Sequence, residues 1–222
     1  MGGNAVGRAC KSGRLALRPY VVACLADTRH RVAAASERLE SKVLGFLRRR
    51  RHERTGFELY GAIVAAARAP FFYRDLGVPD TLDGRFDLVG LHAFLVIRLL
   101  TALPPPGPDV AQAVFDAMFS DMDINLREMG VSDLAVGKRV KAMWEAFHGR
   151  ASAYAAALAE PDDAALAEAL ARNVWRGHEP DTGSSRRLAA LVRRQAVMLE
   201  ALPVEALLAA RLRFDTPEEA LS

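Results

Sequence analysis

Phe86-Asp87-Leu88-Val89-Gly90-Leu91-His92-Ala93-Phe94-Leu95-Val96-Ile97-Arg98-Leu99-Leu100-Thr101-Ala102-Leu103 is the stretch that decides the fold. Its core, residues 88–103, is the longest apolar run in the chain, yet it is shorter than the roughly 20 residues a membrane-spanning helix needs. It also carries His92 and Arg98, and an arginine at mid-span costs about 2.5–3.5 kcal/mol on insertion scales. The run therefore predicts a helix buried in a protein core, over 86–103 and stopped by Pro104-Pro105-Pro106.

Helical periodicity continues on both sides of that centre, and no run of alternating β-branched residues predicts a strand. Upstream, Val32, Leu39, Val43, Phe46 and Leu47 share one face of a helix ending at Arg48-Arg49-Arg50-Arg51. Thr55-Gly56-Phe57-Glu58 has the spacing of a capping box and predicts a new helix that ends near Pro70. Phe71-Phe72-Tyr73 reads as an aromatic turn leading to a loop punctuated by Gly77, Pro79 and Gly84. In that loop, carboxylates among Asp80 and Asp83 are expected to cap the central helix, with Arg85 pairing across it.

Downstream, the pattern predicts helices over about 109–129, with Gly130 as the residue after the C-cap, and from Ser132 to about 160, with Gly137 and Gly149 as candidate interruptions. A short helix capped by Asp162 or Asp163 follows, then a polar loop over 175–184 and two final helices over about 185–202 and 203–211. The fold class is all-α: a compact bundle of about seven helices with a basic N-terminal arm. The expected division is a basic extension over 1–54, partly disordered or an amphipathic helix, a helical domain over 55–215, and a tail over 216–222.

Charge supports that division. The net charge of +3 arises from +9 in residues 1–54, where thirteen Lys and Arg face four Asp and Glu, and −6 in the rest. A folded basic nucleic-acid-binding domain is thus disfavoured, and DNA is not an expected partner. Arg48, Arg49, Arg50, Arg51 and Arg54 suit three environments: solvent at a helix end, an anionic bilayer, or ribosomal RNA phosphates. Arg8, Lys11, Arg14 and Arg18, with no acidic residue before Asp27, resemble an organellar transit peptide; a disordered extension or an early start codon fits the same residues. Cys10 and Cys24 form no disulfide framework or metal-ligand spacing, which favours a reducing compartment.

Candidate chemistry is sparse. Asp121-Met122-Asp123 is the obvious acidic pair, but Phe115, Met118, Phe119, Met122, Leu126 and Met129 form the apolar stripe of that helix. The two carboxylates then point about 160° apart and cannot share one cation. Asp123 and Arg127 instead make an i,i+4 pair. His92 sits on an apolar face among Leu88, Leu95, Leu99 and Leu103, where a histidine is normally a core residue with one ring nitrogen satisfied. G-x-S-x-G, G-x-x-x-x-G-K-[ST], H-E-x-x-H and C-x-x-C are all absent from the sequence, which removes the commonest enzyme classes.

Leu59-Tyr60-Gly61-Ala62-Ile63-Val64, Ala67-Arg68-Ala69-Pro70 with Phe72-Tyr73, Gly77-Val78-Pro79-Asp80-Thr81, Asp83-Gly84-Arg85-Phe86-Asp87 and Leu91-His92 occur in that order. Asp121-Met122-Asp123, Asn125 through Val131, Asp133, Gly137-Lys138, Ala146-Phe147, Gly149-Arg150 and Tyr154 continue the series. Together they resemble the ubiquinol–cytochrome c chaperone family over roughly 57–214. The pattern departs at His148, where the family has tyrosine before Gly-Arg.

The resemblance implies a helical, non-enzymatic assembly factor that binds newly made cytochrome b. It implies a small partner subunit, association with the ribosome and peripheral membrane contact, and no cofactor. Under it, Phe71, Phe72, Tyr73, Asp83, Arg85, His92 and Arg127 are expected at the client or partner surface, and Arg48, Arg49, Arg50, Arg51 and Arg54 at a membrane or ribosome surface. Met118, Met122, Met129 and Met143 offer either an adaptable groove or ordinary core. The location implied is the cytoplasm or cytoplasmic face of the inner membrane in a bacterium, and the mitochondrial matrix or inner membrane in a eukaryote. Two rival readings use other features: an enzyme or binding protein for an isoprenoid or quinone-like ligand, and an RNA- or ribosome-binding adaptor working through the arm.

Overall fold

The structure is a computed structural model describing residues 50–178 and 183–215, all within one compact unit, Arg49–Ser222. Its elements are α1 (residues 50–67), α2 (Pro70–Arg74), α3 (Leu82–Ala102), α4 (Gly107–Glu128), α5 (Asp133–Ala159), α6 (Ala164–Val174), α7 (Ser184–Glu200) and α8 (Val204–Leu208). No strand occurs among the described residues. The expected helical bundle is the observed one. Arg48, Arg49, the stripe Val32–Leu47, the transit-like segment and the tail over 216–222 lie outside the described residues.

α3 is the axis of the bundle. Leu88, Leu91, Ala93, Leu95, Val96 and Leu100 are all but inaccessible and cover more than half of the helix circumference, because α4, α5, α6 and α7 all pack against it. The helix begins one turn earlier than the apolar run suggested. Thr81 is its N-cap, with the hydroxyl accepting from the Gly84 amide at 3.1 Å. The capping residue is therefore this threonine rather than Asp80 or Asp83. A Cβ at Gly84 would sit 2.1 Å from the Pro79 carbonyl oxygen, so the loop closes tightly over the first turn. Arg85 does pair across the loop, its Nε 2.7 Å from Asp80.

The capping box at Thr55 is not formed. α1 runs without a break from residue 50, and Thr55 is buried in its middle. Gly56 is where α1 meets α4: a Cβ there would come within 2.6 Å of the Ala113 backbone. His52 Nδ1 lies 4.0 Å from Asp109, and Tyr60 reaches Asp121, so α1 lies alongside α4 in the same direction. Phe71-Phe72-Tyr73 forms α2, a short helix with Pro70 in its first turn, rather than an open turn.

The later elements follow the apolar pattern closely. Gly130, at φ +80°, ends α4 as expected. α5 passes through Gly137 and Gly149 uninterrupted. Asp162 accepts from the Ala164 amide at 2.9 Å, while Asp163, at the N-cap position of α6, holds Arg193 of α7 at 2.5 Å. The connector after α6 is less polar than its sequence suggests: Trp175 is buried and donates its indole N–H to the Gly77 carbonyl at 3.2 Å.

Candidate functional site

A cleft of about 110 Å³ opens between α1, α2, α3 and α4. Val64, Leu82, Phe86, Val89 and Met122 make it apolar, and Tyr60, Arg68, Tyr73, Arg85, Asp121 and Asn125 supply its polar lining. The parallel packing of α1 on α4 sets one wall. There the Tyr60 hydroxyl donates to Asp121 Oδ2 at 2.7 Å, and burial first, then this hydrogen bond, raises the hydroxyl far above its ordinary pKa. Asn125 donates to the main-chain oxygen of Asp121 at 2.7 Å, which fixes its amide one turn along. The Tyr73 hydroxyl donates to the Ala67 carbonyl at 3.3 Å and so ties α2 back to the end of α1.

Behind the cleft lies a second polar feature. Asp87, one residue beyond Phe86, has a side chain only 1% exposed. Arg150 of α5 donates to it, and Arg176 of the connector after α6 reaches it at 3.2 Å. Burial is the dominant influence and pushes the Asp87 carboxyl up to about 6, against the opposing pull of the two guanidiniums. Arg176 takes a left-handed backbone conformation, φ +52°, to make this contact, and it also approaches Asp83 at 3.5 Å.

The residues singled out from the sequence are therefore divided among five places. Tyr73 and Arg85 line the cleft. Phe71, Phe72 and His92 are core: Phe72 meets His92 edge-on at 5.5 Å, and Phe214 covers the other side at 5.2 Å. His92 Nδ1 donates to the Leu88 carbonyl at 2.8 Å, and burial drives its pKa down to about 4. These three side chains present no exposed surface to a partner. Asp83 belongs to the Arg176 contact, and Arg127 forks between Asp123 and Asp133 at the α4–α5 turn. Of the basic run, Arg50, Arg51 and Arg54 are exposed on α1, with Arg54 paired to Glu58 at 2.8 Å.

Asp121 and Asp123 do diverge, one to Tyr60 and the cleft, the other to Arg127. Met118 and Met122 are core, Met143 is partly buried, and Met129 is half exposed. Among the described residues no helix is long and apolar enough to cross a membrane. Tyr60, Arg68, Asp121 and Asn125 were not expected at a binding surface. The available signal was their place in the quoted motifs, whose separate stretches converge on this one cleft.

Comparison with known proteins places the chain in a family. The family model described as Ubiquinol-cytochrome C chaperone matches residues 74–214. The ubiquinol-cytochrome c reductase complex assembly factor 1 of Drosophila melanogaster is 27% identical over 154 residues, 67% of this chain and 59% of its own length. The chain thus spans less than two thirds of that relative. The Xenopus laevis protein of the same name is 26% identical over 62% of this chain and 68% of its own length. A crystal structure of the Cbp3 homolog from Brucella abortus superposes with a TM-score of 0.70 at 36% identity, covering 80% of this chain and 98% of that one. The chain belongs to the ubiquinol–cytochrome c chaperone family.

Proposed function

We propose that this protein is an assembly chaperone for ubiquinol–cytochrome c reductase that binds newly made cytochrome b and releases it to the growing complex. The observation that carries the reading is the family match across α3 to α7, the elements that build the bundle around α3 and Asp87. The relatives' names supply the complex, and the cleft supplies a partly apolar surface suited to a polypeptide rather than a constellation of reacting groups. Binding, not catalysis, is the activity proposed.

The basic stretch 1–54, whose last residues 50–54 form the start of α1, is proposed as a second functional surface. Its charge suits an anionic bilayer surface or the phosphates of a ribosome, at about 1 kcal/mol per basic residue near an anionic membrane. A small partner subunit and peripheral location at an inner membrane complete the proposal.

A deletion strain tests it. The expected result is depleted haem b absorbance in membranes, reduced assembled reductase and unchanged quinone content, with the chaperone co-purifying with cytochrome b but absent from the mature complex. Normal haem b with depleted quinone would remove the chaperone reading in favour of an isoprenoid-handling role.

A further inference from the structure

We infer that the α1–α4 cleft receives a single apolar side chain of a polypeptide, with the adjoining peptide groups held by Arg68 on one wall and Asp121 on the other. The inference rests on the chaperone reading and specifies the chemistry a client presents at this site.

Size separates the possible occupants. A cavity of about 150 Å³ lined by aliphatic and aromatic side chains admits benzene, whereas sites for drug-sized ligands span about 300–1,000 Å³. At about 110 Å³, this cleft matches a leucine or a phenyl group and is too small for a porphyrin. Its apolar residues come from three helices, and Met122 among them has the unbranched thioether that adjusts to different shapes.

The polar lining completes the fit. A peptide unit displays one N–H donor and one C=O acceptor, and it costs free energy to bury either without a partner. On the α4 wall, Asp121 receives Tyr60 through Oδ2, which leaves Oδ1 able to accept a peptide N–H. Asn125 uses its amide nitrogen within its own helix, so its side-chain oxygen is a second acceptor. On the α1 wall, the Arg68 guanidinium makes no hydrogen bond or ion pair among the described residues and is exposed at the rim. Arg85, by contrast, is occupied by Asp80. The cleft therefore offers acceptors on one side, a free donor on the other and an apolar floor between them. A small buried anchor ringed by polar contacts is the usual arrangement of an energetically dominant contact.

The test uses the full-length protein and capped Gly-Xaa-Gly peptides with Leu, Phe, Asp or Gly at the centre. Binding is read from the NMR signals of the Met122 methyl and the Tyr60 and Tyr73 rings. The Leu and Phe peptides are expected to bind at least tenfold more tightly than the Asp and Gly peptides. Val64→Trp, which fills the cleft from its half-buried edge, is expected to abolish that binding. Arg68→Ala, at an exposed position that leaves folding intact, is expected to weaken it roughly tenfold. Equal response to all four peptides, no response to any, or Leu binding unchanged in both variants overturns the inference. The measurement requires no cytochrome b, so its failure leaves the assembly reading standing, and a normal deletion strain leaves this binding result intact.

Discussion

Arg150 on α5 donates to the carboxylate of Asp87 on α3, 63 positions earlier in the chain, in the interior of the bundle. With Arg176 it ties three separate elements to one buried anion. Removing one partner of a buried pair leaves an uncompensated charge, typically at a cost of 3–5 kcal/mol. Because Arg176 remains in place, Arg150→Ala is expected to destabilise the protein by about 3 kcal/mol in urea unfolding. Adding Asp87→Asn should restore most of that loss, since the stranded charge is gone. Equal destabilisation in the single and double variants would show that Arg150 acts through packing alone.

Asp87 and His92 predict opposing pH dependences. The Asp87 pKa rises from 3.8 to about 6 on folding, so between those values the folded chain holds more proton than the unfolded one. Its contribution to stability therefore increases as pH falls through 6. The His92 pKa drops from 6.5 to about 4, so the unfolded chain binds the proton first and stability is lost as pH falls below 6.5. The two groups therefore act in opposite directions over the same pH range. Asp87→Asn should make the protein lose stability steeply between pH 6.5 and 4.5 relative to wild type. His92→Phe should make it gain over the same range, as followed by melting temperature. Parallel pH profiles for wild type and both variants would refute this.

Gly56 predicts a third effect. Gly56→Ala drives a methyl group into the Ala113 backbone and must push α1 away from α4. Overpacking of this kind costs about 1–3 kcal/mol. The same shift should weaken the Tyr60–Asp121 hydrogen bond and perturb the cleft, visible as a changed Tyr60 ring signal. Thr81→Ala, which removes the α3 cap, should cost about 0.5–2 kcal/mol without touching that signal.

Those two residues also mark where the sequence was and was not informative. Apolar periodicity and length were enough to place α3, α4, α5 and α7, because each must bury a continuous surface. The Thr55–Glu58 spacing suggested a helix start, but Gly56 serves a helix crossing, and a crossing depends on a residue 57 positions away that no local pattern shows. The leucine neighbours of His92 pointed to its place in the core, whereas its assignment to a client surface did not survive its burial. The cleft was not legible as a site, since Tyr60, Arg68, Tyr73 and Asp121 come together only when α1 lies along α4. Trp175 looked like part of a polar loop because its burial depends on the distant Gly77 carbonyl.

A fourth prediction concerns the chain before α1. Deleting residues 1–49 should leave a cooperatively unfolding helical protein, as judged by circular dichroism. Deleting further, through Glu53, removes the first turn of α1 and the His52 contact with Asp109, and should lower the melting temperature. The shorter deletion should also weaken binding to anionic vesicles at low salt, where basic charge is least screened.

The position of α3 constrains how this protein can be made. α3 begins at Leu82, but the surfaces that enclose it include α7, which begins at Ser184, and Phe214, which closes over His92. During translation the most apolar helix leaves the ribosome well before α7, one of its covering partners, exists. Until α7 is complete, the nascent chain displays an unprotected hydrophobic surface of the kind that aggregates. A premature stop before Ser184 would therefore do more than shorten the protein, because α7 would never be made. It would hold every copy in that exposed state and make each one a substrate for the cell's own quality control.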